Sequence, residues 1–202
     1  KCIVLDLDNT LWGGVVGEDG FDGIELGHTS NGKAFVDFQK ELLTLWKQGI
    51  ILAINSKNNF DDAIKVINEH PNMILREDHF ASIQINWNDK AQNLVEIAKE
   101  INIGLNSIVF FDDDKLNQTR IKQEFPEVLT IDLPNDPSKF SSILKNLNDF
   151  NVLQRTDEDT KRGKMYAEQR ERNEFEKSVS NLDDFLKQLD IQVKIKKSDE
   201  FL

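Results

Sequence analysis

The sequence predicts an α/β protein built on a parallel sheet with helices on both faces. Short apolar runs rich in Ile, Val and Phe alternate with stretches of helical period, the pattern of a sheet wrapped by crossover helices. Three of those runs end, on their C-terminal side, in groups able to do chemistry: Asp6 and Asp8, then Ser56, then Asp112 and Asp113. In open parallel sheets ligands bind at the carboxyl ends of the strands, so these distant residues would meet in one crevice.

The first strand is expected over Cys2 to Leu5. From Lys33 to Gln48, apolar Phe35, Phe38, Leu42 and Leu45 recur at three- and four-residue steps, and Gly49 follows as a C-terminal cap, which predicts an amphipathic helix. Ile50 to Ile54 reads as a buried strand leading into Asn55, Ser56 and Lys57. Asn59 with Asp62 then marks a helix start, and Pro71 lies beyond its end. A shorter strand over Ser82 to Asn86 precedes Asp89, which can cap a helix carrying Leu94, Ile97, Ala98 and Ile101; Lys90 therefore sits at a helix N-terminus. Ser107 to Phe111 is the strand that runs into Asp112, Asp113 and Asp114. After a helix to about Phe125 comes EVLTIDL, and Asp136 with Pro137 opens one more helix.

Beyond about Phe150 the chain grows dense in charge and poor in large aliphatics. This divides it into a domain over 1–150 and a helical extension over 151–202, the extension packing by Met165, Tyr166 and Phe175. NLDDFLKQL is a further helix candidate. IQVKIKK alternates as an edge strand does and has no evident partner, as if a further domain began there. The first residue, Lys1, already lies inside an apolar run, so the chain reads as a piece of a longer protein.

Composition narrows the partners. A formal charge of −11 and 39% hydrophobic content in 202 residues describe an ordinary acidic globular protein rather than a general nucleic-acid binder or a protein for anionic membranes. Neither a nucleic acid nor a membrane is expected as a partner, since no run is long enough to span a bilayer. The lone Cys2 excludes a disulfide within the chain and fits a reducing compartment, so a cytoplasmic setting is expected.

Four carboxylates gathered in one crevice repel, and burying them without a partner costs a great deal. A divalent cation resolves the conflict. Oxygen ligands without a His or Cys cluster favour a hard metal, and Mg²⁺, which shares its sphere with phosphate, suits them better than Ca²⁺ or Zn²⁺. Lys90 and the Ser56 hydroxyl then read as groups that hold a phosphate. The constellation points to phosphoryl transfer with a carboxylate nucleophile.

DLDNT, INSKN, NDK and FFDDD, in that order, resemble the four signatures of the haloacid dehalogenase superfamily. The resemblance implies that Asp6 is the nucleophile that forms an aspartyl phosphate and that Asp8 is the acid that protonates the leaving oxygen. It places Thr10, Asn55, Ser56 and Lys90 around the phosphate, and Asp6, Asp112 and Asp113, with Asp8 through its backbone carbonyl, around Mg²⁺. Longer stretches, among them KCIVLDLDNTLWGGVVGEDG, AINSKNN and NWNDKAQNL, resemble the FkbH-like proteins, capless members of the superfamily, over roughly residues 1–150. That likeness implies a phosphorylated small acid, sugar or acyl phosphate as substrate and transfer of a glyceryl group to an acyl carrier protein. A non-catalytic module that recognises a carrier protein is the alternative.

One stretch departs from the FkbH-like pattern. Where those proteins usually carry NPxER, this chain has DKLNQ, Asp114 to Gln118. Asn117, four residues after Asp113, resembles instead the small capless Mg²⁺-dependent phosphatases, which favours hydrolysis over glyceryl transfer. Spacing also limits the substrate's surroundings. The 45 residues at positions 11–55 and the 33 at positions 57–89 leave no room for a lid domain, and glycine-rich WGGVVGEDGFDGIELG is expected to form a small flap hairpin beside the nucleophile.

Plain structural roles compete at several positions. Asp114 reads as a helix cap rather than a ligand. Cys2, about 13 Å from Asp6 at strand rise, reads as a buried apolar residue rather than an acyl carrier. Trp12 and Trp87 flank the motifs and either wall the cleft or pack in the core. His28, His70 and His79 have no metal-binding spacing and no expected role.

Overall fold

The computed structural model describes residues 1–147, 150 and 157–178, with side chains of the last helix described over 161–175. Five strands form one parallel sheet: β1 (Cys2–Leu5), β2 (Ile51–Ser56), β3 (Phe80–Ile85), β4 (Ile108–Asp112) and β5 (Leu129–Asp132), in the spatial order β3-β2-β1-β4-β5. The chain therefore builds outward from β1 to β3, then crosses back to add β4 on the other side of β1. That reversal opens a crevice at the carboxyl ends of β1 and β4, the place where such sheets bind ligands.

Alternation along the strands supplies two cores. Ile3, Leu5, Leu52, Ile54, Val109 and Phe111 face α2 (Ser30–Lys47), α3 (Phe60–Glu69) and α6 (Phe140–Lys145). Cys2, Val4, Ile51, Ala53, Ile108 and Phe110 face α4 (Lys90–Ile101) and α5 (Lys115–Glu124). Both faces of the central strands are covered, which is why their sequences read as unbroken apolar runs. The expected Rossmann-like arrangement with helices on both faces is what forms.

The helix signals act as the sequence suggests, except that Asn59, at the start of α3, makes no side-chain cap and donates to the Asp62 side chain instead. Asp89 accepts a hydrogen bond from Ala91 N at 2.8 Å and Asp114 from Leu116 N at 2.8 Å, each capping the helix that follows. Gly49 takes φ 91° just past α2, a conformation open to glycine without steric cost. Asp136 caps a 3-10 turn over Pro137–Lys139 that leads into α6. Cys2 is fully buried, and burial pushes its thiol up to about 12, so it remains an inert apolar residue.

Two expectations require correction. The segment after the nucleophile motif is not a hairpin. Its ends meet in a single antiparallel pair, Gly13 N to Glu25 O at 3.0 Å and Glu25 N to Gly13 O at 2.8 Å, and a one-turn helix, α1 (Val16–Asp19), lies between them. Gly13 permits the close pairing, because a Cβ there would sit 2.9 Å from the Phe35 ring. In the extension, α7 (Asp157–Ser178) does not pack by Met165, which is 62% exposed. Its buried stripe is Gly163, Ala167 and Arg170, spaced four and three residues apart, with Tyr166 partly buried beside it. Gly163 rests on the Trp46 indole, where any Cβ would come within 2.5 Å of the ring nitrogen.

The chain divides into compact units Lys1–Arg170 and Glu171–Leu202. Phe175 falls in the second unit and is half-buried. The segments NLDDFLKQL and IQVKIKK lie outside the described residues. Among the described residues no helix is long and apolar enough to cross a membrane.

Candidate active site

β1 ends at Leu5, and Asp6 N continues the ladder by donating to Phe111 O of β4 at 2.9 Å. This bond sets the Asp6 side chain beside Asp112, the last residue of β4. Both are buried, and Lys90 at the start of α4 lies between them, with Nζ 2.7 Å from Asp6 Oδ2 and 2.5 Å from Asp112 Oδ2. Burial pulls the Lys90 ammonium pKa down, but Asp6 and Asp112 outweigh it and the net shift is upward. The lysine is a fixed positive charge.

One lysine does not balance the cluster. Asp113 is half-buried next to the pair, and oxygens of Asp6, Asp112 and Asp113 all lie within 4.8 Å of one another. Burial pushes the Asp113 carboxyl up to about 6, with the charges of Asp6 and Asp112 adding to the shift. Burial, and then Asp6, raises Asp112 as well. Three carboxylates against one ammonium leave two negative charges in a site whose donors are all hard oxygens. These residues fit a divalent hard cation in charge and donor chemistry.

Asp8 is turned a different way. Its Oδ1 accepts from Trp12 Nε1 at 2.8 Å and from Val16 N of the flap helix at 3.1 Å; its Oδ2 accepts from Asn58 Nδ2 at 2.8 Å. The side chain stands outside the three-carboxylate cluster. Burial raises its pKa, Val16 and Trp12 pull the other way, and nearby Asp6 pushes upward again. Asn9 makes this tight loop feasible by taking φ 54°, a conformation asparagine tolerates, while its Oδ1 accepts from Gly14 N at 2.8 Å.

The remaining expected residues occupy two shells. Ser56 ends β2 and is 1% exposed, next to the loop that carries Asn58. Thr10 is fully buried, and its Oγ1 has no hydrogen-bond partner among the described residues. Asn55 donates to Lys90 O at 2.9 Å and accepts from Asn93 Nδ2 at 3.1 Å, so its side chain anchors the start of α4 and acts on the crevice through Lys90. Trp12 packs in the core, fully buried, and its indole N–H donates to Asp8. Trp87 is 70% exposed and does not pack in the core.

Three contributors were not visible in the sequence. Asn58 meets Asp8 across 50 positions, Asn93 braces Asn55, and Gln118 Nε2 donates to the Asp112 carbonyl at 2.6 Å. Asn117 Nδ2 is 3.3 Å from Asp112 Oδ1. The DKLNQ stretch thus holds Asp112 in place from below. Beside the cluster a cleft of about 510 Å³ runs between the flap (Gly13, Gly14, Glu25) and the loop at Pro134 and Asn135, with Asp113 in its lining.

Among solved structures, the chain matches the N-terminal part of the protein BF1531 from Bacteroides fragilis. That crystal structure is described as containing a phosphatase domain and is complexed with Mg. The two are 41% identical with a TM-score of 0.74 over 76% of this chain. The fold is shared with a phosphatase domain. The match covers 41% of the other chain, less than half its length. No protein-family model matches the sequence, and no curated protein matches it.

Proposed function

We propose that this chain is a Mg²⁺-dependent phosphatase of the haloacid dehalogenase type, working through a phospho-Asp6 intermediate on a phosphorylated small acid, sugar or acyl phosphate. The observation that carries the reading is the cluster of Asp6, Lys90, Asp112 and Asp113 at the β1/β4 crevice, where two unbalanced negative charges converge on one point. The likeness to a domain crystallised with Mg supports the same metal here.

In this reading Asp6, held by the ladder bond from its own N–H, presents a carboxylate oxygen to phosphorus. Lys90 keeps that carboxylate oriented and offsets charge on the phosphoryl oxygens. Thr10 and Ser56 bring hydroxyls to the same end of the sheet, and Thr10 Oγ1 has hydrogen-bonding capacity to spare. Asp6, Asp112 and Asp113 are the residues that would hold Mg²⁺, which when bound supplies further positive charge as negative charge builds on the transferring group. Asp8, outside that cluster and with its proton held more firmly than in an ordinary carboxyl, serves as the acid for the leaving oxygen.

The test is Mg²⁺-dependent release of phosphate from p-nitrophenyl phosphate or acetyl phosphate. Wild type should be active and Asp6→Asn should not. Equal inertness of the two across a panel of phosphate esters and acyl phosphates would sink the reading in favour of a carrier-protein recognition module. Glyceryl transfer to an acyl carrier protein is the narrower version; it receives less support, because Gln118 stands where the FkbH-like Glu-Arg pair ends and bonds the Asp112 carbonyl. A glyceryl mass gain on a carrier protein incubated with bisphosphoglycerate would establish it.

A further inference from the structure

We infer that Asn58 is a positioning residue for the leaving-group proton: it holds the Asp8 carboxyl in the orientation from which that proton is delivered. The inference rests on the phosphatase reading above and extends it to a residue on a different loop from the nucleophile.

Asn58 lies between β2 and α3, two residues beyond Ser56, and is 4% exposed. Its hydrogen bonds run to Asp8 and to its neighbour Asn59. Asn59 N donates to Asn58 Oδ1 at 3.1 Å, which settles the two ends of the amide and leaves the NH₂ end facing Asp8 Oδ2 at 2.8 Å. A buried side chain locked at one end by the next residue's backbone N–H is a rigid donor.

The two oxygens of Asp8 are unequal. Oδ1 accepts twice, from Trp12 Nε1 and Val16 N, whereas Oδ2 accepts once, from Asn58. Oδ1 is therefore the end built to carry negative charge. Oδ2 keeps a lone pair for the proton. The planar carboxyl turns as one unit about its soft terminal torsion, and both donors on Oδ1 come from the nucleophile's own loop and flap, so without a donor on Oδ2 its setting would follow that segment alone. Asn58 supplies the second point of attachment. It also ties the acid to the loop that carries Ser56, so the phosphate end and the leaving-group end of the site are set by one segment.

The chemical step defines what is lost without it. An Asp6 oxygen bonds to phosphorus, the ester P–O bond breaks with its electron pair leaving on the ester oxygen, and the Asp8 proton passes to that oxygen, leaving Asp8 a carboxylate. An alkyl ester needs the proton because an alkoxide leaves poorly. A p-nitrophenyl ester does not, since its phenolate is stable as an anion.

The experiment compares kcat/KM, which reports steps through phosphorylation of Asp6, for glycerol phosphate and p-nitrophenyl phosphate in saturating Mg²⁺, using wild type, Asn58→Ala and Asn58→Asp. General acid catalysis is worth about 10²–10⁴-fold. Both variants should lose at least about tenfold more on glycerol phosphate than on p-nitrophenyl phosphate. The ratio within one preparation does not depend on how much of the variant is folded. Equal losses on the two esters, or none on either, would overturn the role of Asn58 while leaving the phosphatase reading intact. A wild type inert on both would instead overturn the phosphatase reading, and this inference with it.

Discussion

Asp112 and Asp132 end neighbouring parallel strands in the same register, yet they have opposite fates. Asp112, on β4 beside the central strand, is fully buried and bonded to Lys90, which also reaches Asp6, and burial with Asp6 raises its pKa. Asp132, on the edge strand, is exposed and pairs with Lys122 at 2.6 Å, and that hydrogen bond lowers its pKa. Residue type, strand position and a nearby lysine are common to both. What differs is whether a second strand end and two helices close over the carboxylate. An aspartate at a strand end becomes chemistry only where the sheet reverses its order, because only there do neighbouring ends converge away from water.

The comparison can be broken at each of its parts. The largest effect is expected from Lys90. Lys90→Met leaves Asp6 and Asp112 buried without their cation and should destabilise the metal-free protein by about 3–5 kcal/mol in urea unfolding. Mg²⁺ should restore part of that loss. Next comes activity: Asp112→Asn should lower Mg²⁺-dependent kcat/KM on p-nitrophenyl phosphate by about 10²–10³-fold, and Asp132→Asn should leave it within about twofold. A large loss at Asp132 would show that the edge strand takes part in the site.

A smaller effect concerns pH. Asp113 titrates near 6 in the fold against an ordinary value of 3.8. Between those values the folded protein holds more protons than the unfolded chain, so its stability falls as pH rises from about 4 to 6. Asp8 and Asp112 shift in the same direction, whereas Lys90 stays charged throughout. Melting of the metal-free protein should therefore occur at a higher temperature at pH 5 than at pH 7, with about 1 kcal/mol of the difference from Asp113 after solvent screening is allowed for. Saturating Mg²⁺ should remove the slope. The smallest effect belongs to the edge: Lys122→Met should change stability by no more than about 0.5 kcal/mol, since an exposed ion pair gains little in water.

Much of this was legible from local patterns. Strand ends at Leu5 and near Ser56 and Asp112, caps at Asp89 and Asp114, and the core face of α2 each depend on a few adjacent residues, and the structure keeps them. The flap and the extension misled for a shared reason. The glycine-rich stretch after the nucleophile has the composition of a hairpin, but the Val16 N–H is drawn to Asp8 Oδ1 and residues between Gly13 and Glu25 coil into a turn of helix. Met165 is one of the few large apolar residues on its stretch, but the docking surface of α7 at Gly163 is set by what the Trp46 indole admits, which is glycine.

The sequence by itself determined the order of strands and helices, the carboxylates that end them and the surplus of negative charge that calls for a cation, because these depend on composition and on periods of two and 3.6 residues. The tertiary structure decided which carboxylates meet. Asp8 finds its partners in Trp12, Val16 and Asn58, Asp6 and Asp112 share Lys90, and Asp132 is left to solvent. Those outcomes follow from the crossover that places β4 against β1, a contact between residues about a hundred positions apart that no local pattern records.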